Sequence, residues 1–340
     1  MKRLLFRLLV TILLADSYAY GETLQLSEEE FEKIEYFTAS EDEYGNFGLK
    51  AKPKSGFETY KNYMGKGNDH NFKYIKDENR ARAGKYFQRF ELRDGDCWGN
   101  EDWDDCKNDR ERFEFSAKLQ QPPKKIQCYG YSLMLSKDFI DVHPTNTDLG
   151  QVHQKGGPSG TAGGLPSFPP LIQIGAHHGS LYFGWHELSG SAANVVDVKR
   201  NYKLKSLEDM KDVWTDISFC LDFKNKRMDA WVDGIKKVEI LKSPIFFKPK
   251  SIYFKFGIYR SFISRYKAAT DWSKCYEDKG YKSLNCYGSD GKLIPKSERK
   301  TIANKIRKMP TQIVFYDEIR RGDSVEEVDF NINPKLKPVD

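Results

Sequence analysis

The sequence predicts an all-β protein, a large antiparallel β-sandwich of the jelly-roll or concanavalin-like kind with a few short helices. Ten short strand-like runs are separated by Gly, Pro, Asn or Asp. Long helical periods are few, and the sequence shows no repeat of solenoid or propeller type. One sandwich spanning the chain is therefore the simplest architecture. The runs are 85–93, 112–119, 129–136, 150–154, 171–176, 180–188, 214–223, 227–240, 253–260 and 311–319.

Residues 1–21 are predicted to be a secretory signal peptide. A basic start precedes an apolar stretch over residues 8–15, which is too short to span a membrane, and small residues follow it. Residues 22–340 are then expected to form a single β-jelly-roll domain, whose first part, 22–60, is helical or irregular. The sequence therefore predicts a secreted or periplasmic protein.

The charge balance is mildly basic. Lys and Arg number 55 against 49 Asp and Glu, a net charge of 55 − 49 = +6. Removing residues 1–21 takes away three basic residues and one acidic residue, which leaves +4. This argues against a nucleic-acid binder, but local basic clusters would attract an acidic polymer. We expect a monomer without nucleic-acid or membrane partners.

Six cysteines in an exported chain suggest disulfides. Cys97 and Cys106 flank an acidic loop, and Cys275 and Cys286 flank a loop rich in Lys, Tyr and Gly, so each pair is predicted to form a local bridge. Cys128 and Cys220 lie in apolar strand-like runs, where two buried free thiols and a third bridge are both open.

Three segments between the strand-like runs have sequences that predict their structure. Asp233-Gly234 between apolar runs predicts a hairpin turn. The Gly/Pro-rich segment 155–170 could form a lid or cleft wall, or an ordinary surface loop. The basic segment 294–310 is compatible with a solvated helix.

The run YFKFGIY, residues 253–259, sends Phe254, Phe256 and Ile258 to one face and Tyr253, Lys255, Gly257 and Tyr259 to the other. Other strands repeat this division between an apolar and a polar face. Gln151 and His153 share a face, and so do Arg89, Glu91 and Arg93 in one run and Arg110, Arg112 and Glu114 in another. Alone, each pattern is typical of surface salt bridges or a polar edge. Together they predict that one sheet gathers the polar faces into a cleft.

These side chains suit β-elimination of a polysaccharide that contains uronic acid. The reaction removes the proton at C5, beside the carboxylate, and expels the sugar oxygen at C4. Arg and Gln can stabilise the charge that develops on the carboxylate, and His has a pKa near 6.5 that suits a base. The charge of Lys255 is expected to lower the pKa of Tyr259, and Gly257 is expected to leave room for a sugar ring.

Three motifs carry a resemblance to a known group. Gln151-Val152-His153, the run 253–259 and an upstream Arg-x-Glu strand resemble the signature strands of jelly-roll polysaccharide lyases. That group includes alginate lyases with R-x-E-L-R, Q-I-H and Y-F-K-A-G-x-Y motifs and the heparin lyase I and glucuronan lyase families. The stretch VFYDEIRRGDS, residues 314–324, is similar to the final strand of the latter two. The resemblance covers roughly residues 80 to 325.

The resemblance implies a role for each matching residue. Tyr259 is the catalytic acid, and for some sugars also the base, while His153 is the base or its partner. Gln151 acts with His153 on the carboxylate, and Lys255 binds substrate. The arginine is ambiguous, because Arg-Phe-Glu occurs twice: Arg89, with Arg93 two residues past Glu91, matches the alginate wording, and Arg112 matches the glucuronan-type placement. Phe256 departs from the alginate motif, which puts alginate specificity in doubt.

Other functions remain open on the sequence. A glycoside hydrolase needs two carboxylates that flank the bond, and no run offers a convincing pair. A non-catalytic carbohydrate-binding sandwich would not need His153 and Tyr259 together. No cofactor is required for the lyase reaction, although the acidic loop of residues 93–106 offers oxygen ligands for Ca²⁺. The alternative for that loop is simple solvation, because EF-hand spacing is absent.

Overall fold

The computed structural model describes the greater part of the chain between residues 48 and 338. The described residues are 48–49, 60–62, 68–99, 104–117, 125–155, 169–190, 195–241, 251–267, 295, 297 and 308–338. They form the predicted β-sandwich, with two antiparallel sheets packed face to face.

Fifteen strands build the two sheets. In chain order they are β1 Gly48–Leu49, β2 Tyr60–Asn62, β3 Phe72–Lys76, β4 Tyr86–Leu92, β5 Arg110–Ala117, β6 Ile126–Leu135, β7 Asn146–Lys155, β8 Ile172–His177, β9 Ser180–Gly190, β10 Val195–Ser206, β11 Thr215–Asp222, β12 Arg227–Val232, β13 Ile235–Ile240, β14 Ser251–Ser261 and β15 Gln312–Gly322. The helices described are short: α1 Ser264–Lys267 and 3-10 turns at Glu208–Met210 and Val325–Glu327.

The eight-stranded sheet has the order β1-β2-β5-β14-β7-β8-β9-β10, and the seven-stranded sheet has the order β13-β12-β11-β6-β15-β4-β3. Strands distant in sequence are therefore neighbours. In particular, β14 lies between β5 and β7, so the run 253–259 is paired with both Arg110–Ala117 and Asn146–Lys155.

An aromatic core lies between the sheets. Phe90 from the seven-stranded sheet contacts Phe113, Phe115 and Phe256 from the eight-stranded sheet, with ring centroids 5.4 to 5.9 Å apart. All four side chains are buried. Such rings bury large apolar areas and prefer the tilted and edge-to-face arrangements seen here. The alternation predicted for these strands follows from this packing, since every second residue enters the core.

Two disulfides lie among the described residues. Cys97–Cys106 closes the acidic loop as predicted. Cys128 and Cys220, for which the sequence left two possibilities, are bonded across the neighbouring strands β6 and β11. The pair Cys275 and Cys286 lies outside the described residues. The Asp233-Gly234 hairpin is confirmed, with both residues at positive φ between β12 and β13.

Several terminal and loop predictions fall outside the described residues. These are the signal peptide 1–21, nearly all of the segment 22–60, the lid candidate apart from its ends, and most of the basic segment 294–310. No helix in the described parts of the chain has the length and apolarity to cross a membrane.

Candidate active site

The candidate site lies on the face of the eight-stranded sheet that points away from the core, which we call the outer face. Val152, Phe113 and Phe256 point inward from β7, β5 and β14 and are buried. Alternate residues of these strands therefore point outward. The outward side chains are Arg110, Arg112 and Glu114 on β5, Tyr253, Lys255 and Tyr259 on β14, and Asp148, Gln151 and His153 on β7. Arg112, Gln151, His153, Lys255 and Tyr259 are thus brought to one face.

Tyr259 is held by two arginines of the neighbouring strand. Arg110 donates from Nε to the phenol oxygen at 2.9 Å, and the Arg112 guanidinium lies 4.4 Å from the centre of the ring. Burial raises the pKa of Tyr259, and the charges of Arg112 and Arg110 oppose that rise without cancelling it. The side chain is therefore a neutral phenol at neutral pH, suited to donating a proton.

The expected influence of Lys255 on Tyr259 was wrong. The lysine Nζ instead donates to Glu114 Oε2 at 2.8 Å, and both side chains are almost completely buried. Burial lowers the pKa of Lys255 to about 8, although Glu114 opposes this. The positive charges near Tyr259 come from β5 because Tyr259 and Lys255 lie four residues apart, with a β-bulge between them.

Glu114 connects the buried part of the site. Besides Lys255, it accepts a hydrogen bond from Gln151 Nε2, and Arg112 Nη1 lies 3.5 Å away. Gln151 and Lys255 are directly opposite each other in the register of β7 and β14. Glu114 therefore fixes the orientation of both residues that the resemblance assigns to substrate.

Arg112 pairs with a carboxylate of the disulfide-closed loop. Its Nε donates to Asp105 at 2.7 Å, and its Nη2 makes a second bond to the same side chain. Both residues are buried, and Asp105 is fully so. Burial alone would lower the pKa of Arg112, but the bonds to Asp105 and the nearby acidic groups raise it overall. Arg112 is therefore a permanent cation that is already paired within the protein.

His153 lies at the other end of this row of residues. It is partly exposed, and its ring stacks on Tyr253 at a centroid distance of 5.3 Å. Two backbone groups of Gln154 contact Nδ1, the N–H at 2.9 Å and the carbonyl at 3.1 Å. A proton on Nδ1, bound by the carbonyl, would make Nε2 the basic nitrogen, and the other tautomer would make Nε2 a donor.

Tyr259 and His153 are separated along the strands. His153 is opposite Tyr253, whereas Tyr259 is opposite Asp148. From Asp148 to His153, the chain advances by four to five strand residues, roughly 15 Å at 3.3 Å per residue. Gln151 and Lys255 lie between these two side chains along the strands.

Two β-bulges set this geometry. The register shifts between Asp148 and Gly150 on β7 and between Lys255 and Tyr259 on β14. The buried hydroxyl of Tyr316, from the seven-stranded sheet, lies 2.7 Å from the Leu149 carbonyl and 2.8 Å from the Gly257 carbonyl. The single O–H of Tyr316 can donate to either of these two carbonyls, so a core side chain reaches the backbone of both bulged strands.

Gly257 does not leave room for a sugar ring as expected. Its φ is +127°, and an added Cβ would lie 2.4 Å from the Phe113 carbonyl oxygen and 3.1 Å from the Phe90 ring. The missing side chain therefore allows close approach of β14 to β5 rather than opening the cleft.

Arg89 and Arg93 are not brought to this face. They flank Glu91, which they both bond, and β4 belongs to the seven-stranded sheet. Because Phe90 points into the core from the opposite side, these arginines point to the far surface of the sandwich. The expectation that one sheet gathers all four polar faces was therefore wrong for β4. Alternation identifies the buried face of a strand but does not identify its sheet.

Sequence reasoning placed Arg110 on the polar face of its run but assigned it no role, and it missed Asp148. The structure gives Arg110 its role by bonding it to the Tyr259 oxygen. Asp148 is an odd number of residues from Gln151, so strict alternation places it on the opposite face, and the β7 bulge reverses that placement. Burial raises the pKa of Asp148 to about 6.

Two carboxylates in the described part of the acidic loop are bonded within the protein. Asp96 accepts bonds from Asn68, His70 and Asn71, and Asp105 binds Arg112. Within the described residues, no group of three or more His, Cys, Asp or Glu side chains is arranged to hold a metal ion.

Comparison with known proteins identifies a family. Residues 52–320 match a family model described as polysaccharide lyase, which is more than half of the 340 residues. No curated sequence matches the chain.

Solved structures show a similar fold. The endo-β-1,4-glucuronan lyase from the fungus Trichoderma reesei is 17% identical, with a TM-score of 0.50 over 77% of this chain and 91% of that chain. A family-7 alginate lyase is 12% identical over 76% of this chain and 86% of that chain, with a TM-score of 0.41. The alginate lyase AlyC3 is 12% identical over 86% and 97%, with a TM-score of 0.42. At 17% identity, the likeness to the glucuronan lyase structure concerns the fold alone.

Proposed function

Because the chain belongs to the polysaccharide lyase family, we propose that it is a secreted enzyme that cleaves a uronic-acid polysaccharide by β-elimination on the outer face of its eight-stranded sheet. The observation that carries this proposal is the arrangement of Tyr259, bonded by Arg110 and stacked under Arg112, on the same face as Gln151 and His153.

Proton abstraction is assigned to His153. In the tautomer with Nδ1–H bound to the Gln154 carbonyl, Nε2 takes the C5 proton of the uronate. As the C5–H bond breaks, charge develops on the carboxylate, where Gln151 and the arginine charges stabilise it. Arg110 is partly exposed and uses Nε and Nη1 in the protein contacts described, so Nη2 is the donor best placed for this purpose.

Departure of the leaving group is assigned to Tyr259. The electron pair of the breaking C4–O bond leaves with the oxygen, and a C4=C5 double bond forms. Tyr259, which its raised pKa keeps protonated at neutral pH, donates its phenol proton to that oxygen, where the breaking bond leaves negative charge. His153 then releases the C5 proton to water, and Tyr259 regains a proton from water, so each turnover balances without a cofactor.

The first experiment incubates the protein, without residues 1–21, with glucuronan, alginate, heparin and heparan sulfate and follows the ultraviolet absorbance of the unsaturated uronate product. We expect absorbance to rise with at least one polymer. New reducing ends without unsaturated product would mean hydrolysis and would contradict the proposal. The same holds if no polymer in the panel is cleaved although it binds.

A further inference from the structure

A small depression lies on the outer face beside Tyr259, toward the strands β8, β9 and β10. Its lining includes Asp148, Gln173, His177, Tyr182 and Lys199. Asp148 is directly opposite Tyr259 in the register of β7 and β14, and adjacent strands lie about 5 Å apart. A sugar next to the one that Tyr259 attacks would therefore lie over this depression.

The carboxylate of Asp148 forms its floor and is fixed by a chain of hydrogen bonds. Gln173 Nε2 donates to Oδ2 at 2.8 Å, His186 Nε2 contacts Gln173 Oε1 at 3.1 Å, and Asp197 lies 2.8 Å from His186 Nδ1. Both ring nitrogens of His186 face acceptor oxygens. The chain orients the Gln173 amide so that its N–H group points to Asp148.

The second oxygen of Asp148 lies beside Gly175, which also lines the depression. Oδ1 lies 3.0 Å from where a Cβ on Gly175 would stand, so the absence of a side chain keeps access to it. The side chain of Asp148 is only 4% exposed, so it has little water of its own. A buried carboxylate oxygen in this setting favours a hydrogen-bond donor from a ligand.

The size and charge of the depression narrow the choice of ligand group. It is large enough for one water-sized group, which suits a hydroxyl but not a carboxylate or a sulfate ester. His177, stacked on Tyr182 at 4.1 Å, is neutral because burial and then His178 lower its pKa to about 4. Lys199 is a cation, but it is exposed at the rim.

The ionisation of Asp148 agrees with this ligand. Burial raises its pKa to about 6, with Lys199 opposing and Glu114 reinforcing the rise, and with small opposing effects of Gln173 and His186. At neutral pH it is therefore largely an acceptor for a hydroxyl and repels a second anion.

We infer that this depression is a subsite for a free hydroxyl of the sugar adjacent to the attacked uronate, and that it rejects a sulfate ester or carboxylate at that position. The inference rests on the proposed function and deepens it. The preferred substrate is a polymer that is unsulfated at this position, whereas a chain that carries sulfate there is bound poorly.

Binding measurements on the Tyr259→Phe variant test the inference without turnover. The probes are glucuronan and alginate oligosaccharides, each as prepared and after chemical O-sulfation, in isothermal titration calorimetry. We expect the unsulfated forms to bind about tenfold or more tightly than the sulfated forms, since one hydrogen bond to a charged group is at stake. Adding Asp148→Asn should weaken the binding of the unsulfated oligosaccharides by about tenfold and leave the binding of the sulfated oligosaccharides nearly unchanged.

Two further variants separate a ligand contact from misfolding. His177→Ala widens the depression and should improve the affinity for the sulfated forms. Asp209→Asn, which replaces an exposed acid in a distant 3-10 turn, should change nothing. Melting temperatures of all variants are compared with that of the Tyr259→Phe parent.

Each outcome has a distinct meaning. If the affinity changed neither on sulfation of the oligosaccharide nor on replacement of Asp148, the inference would be overturned, while β-elimination would be unaffected. If the parent protein showed no β-elimination but the variant still bound unsulfated oligosaccharides more tightly, the proposed function would be contradicted and the hydroxyl subsite supported. If no uronate oligosaccharide bound in either form, the inference and the proposed function would fall together.

Discussion

The tripeptide Arg-Phe-Glu occurs on β4 and on β5, and the charged residues of the two copies lie in different environments. Phe90 and Phe113 meet in the core with ring centroids 5.9 Å apart, so their flanking charges lie on opposite surfaces of the sandwich. On β4, Arg89 and Arg93 bond the Glu91 between them. On β5, the glutamate bonds Lys255 and Gln151 of other strands, and Arg112 bonds a loop carboxylate.

The protonation equilibria of the two faces differ in the same way. Burial raises the pKa of Glu91, but its two arginines outweigh burial and lower it overall. On the outer face of the other sheet, burial raises the pKa of Asp148 to about 6 and lowers that of Lys255 to about 8. The β4 face stabilises the charge of Glu91, whereas the outer face holds the charges of Asp148 and Lys255 at a cost to stability, as functional sites commonly do.

The largest difference is expected in turnover. Tyr259→Phe should reduce kcat by about 10² to 10⁴, because the general acid is lost while substrate contacts remain. Arg89→Met on the β4 surface should leave kcat unchanged. Steady-state rates of product absorbance measure both variants. Near-normal turnover of the Tyr259 variant would remove Tyr259 from the mechanism.

The two arginines should also differ in their contribution to stability. Arg112→Met leaves the buried Asp105 without its partner and should cost about 3 to 5 kcal/mol of unfolding free energy. Arg89→Met should cost below about 1 kcal/mol, since Glu91 keeps Arg93. Urea unfolding curves give both values. Equal losses would show that the two copies are energetically equivalent.

The pH dependence of stability should have opposite signs for carboxylates on the two faces. The raised pKa of Asp148 means that its contribution to stability is present below about pH 4 and is lost as the pH rises through about 6. As the pH rises from 4 to 7, the unfolding free energy of the Asp148→Asn variant should therefore increase by roughly 2 to 3 kcal/mol relative to that of the parent.

Glu91→Gln should show the opposite trend. The lowered pKa of Glu91 gives stability that is present above its ordinary pKa and is lost on acidification. The variant lacks this contribution, so its unfolding free energy should fall relative to that of the parent as the pH rises. Unfolding at the two pH values, with each variant measured beside the parent, tests the pair. The same sign for both variants would contradict the contrast between the faces.

The smallest effect is expected for Arg110. Arg110→Met removes the donor to the Tyr259 oxygen and should lower kcat by about tenfold. In a Tyr259→Phe background the same change should lower kcat by clearly less than tenfold, because the part of its effect that acts through the Tyr259 oxygen is already lost and only its contact with the substrate carboxylate remains to be removed. Arg93→Met, which removes a half-exposed arginine from the β4 surface, is the matched control. Fully additive losses in the double variant would show that Arg110 does not act through Tyr259.

The sequence predicted the fold class, the inward and outward faces of the strands and five residues that share the site face. Local alternation contains this information, because it depends on the pleat alone. It could not choose between the two Arg-Phe-Glu copies, because the choice depends on which strands pair, and pairing is a long-range property. Asp148 was missed for a related reason, since a one-residue bulge exchanges the faces of a strand.

The electrostatics of the site were also beyond the sequence. Lys255 lies close to Tyr259 in the chain, but in the fold its charge is taken up by Glu114. Asp105 lies in a loop that reads as solvated, but it is buried under Arg112. Partners that come from separate segments decide a pKa, and these become visible only when the strands are assembled.

Gly257 has a consequence for how such a protein can diverge. Its missing side chain permits the contact between β14 and β5 that brings Tyr259 beneath Arg112. Any replacement at position 257 would have to move β14 away from β5, and Tyr259 away from Arg112 with it. Exposed positions such as Lys199 meet no such constraint from the backbone of a neighbouring strand. We therefore expect substitutions to accumulate at such positions in descendants of this sequence and position 257 to stay glycine.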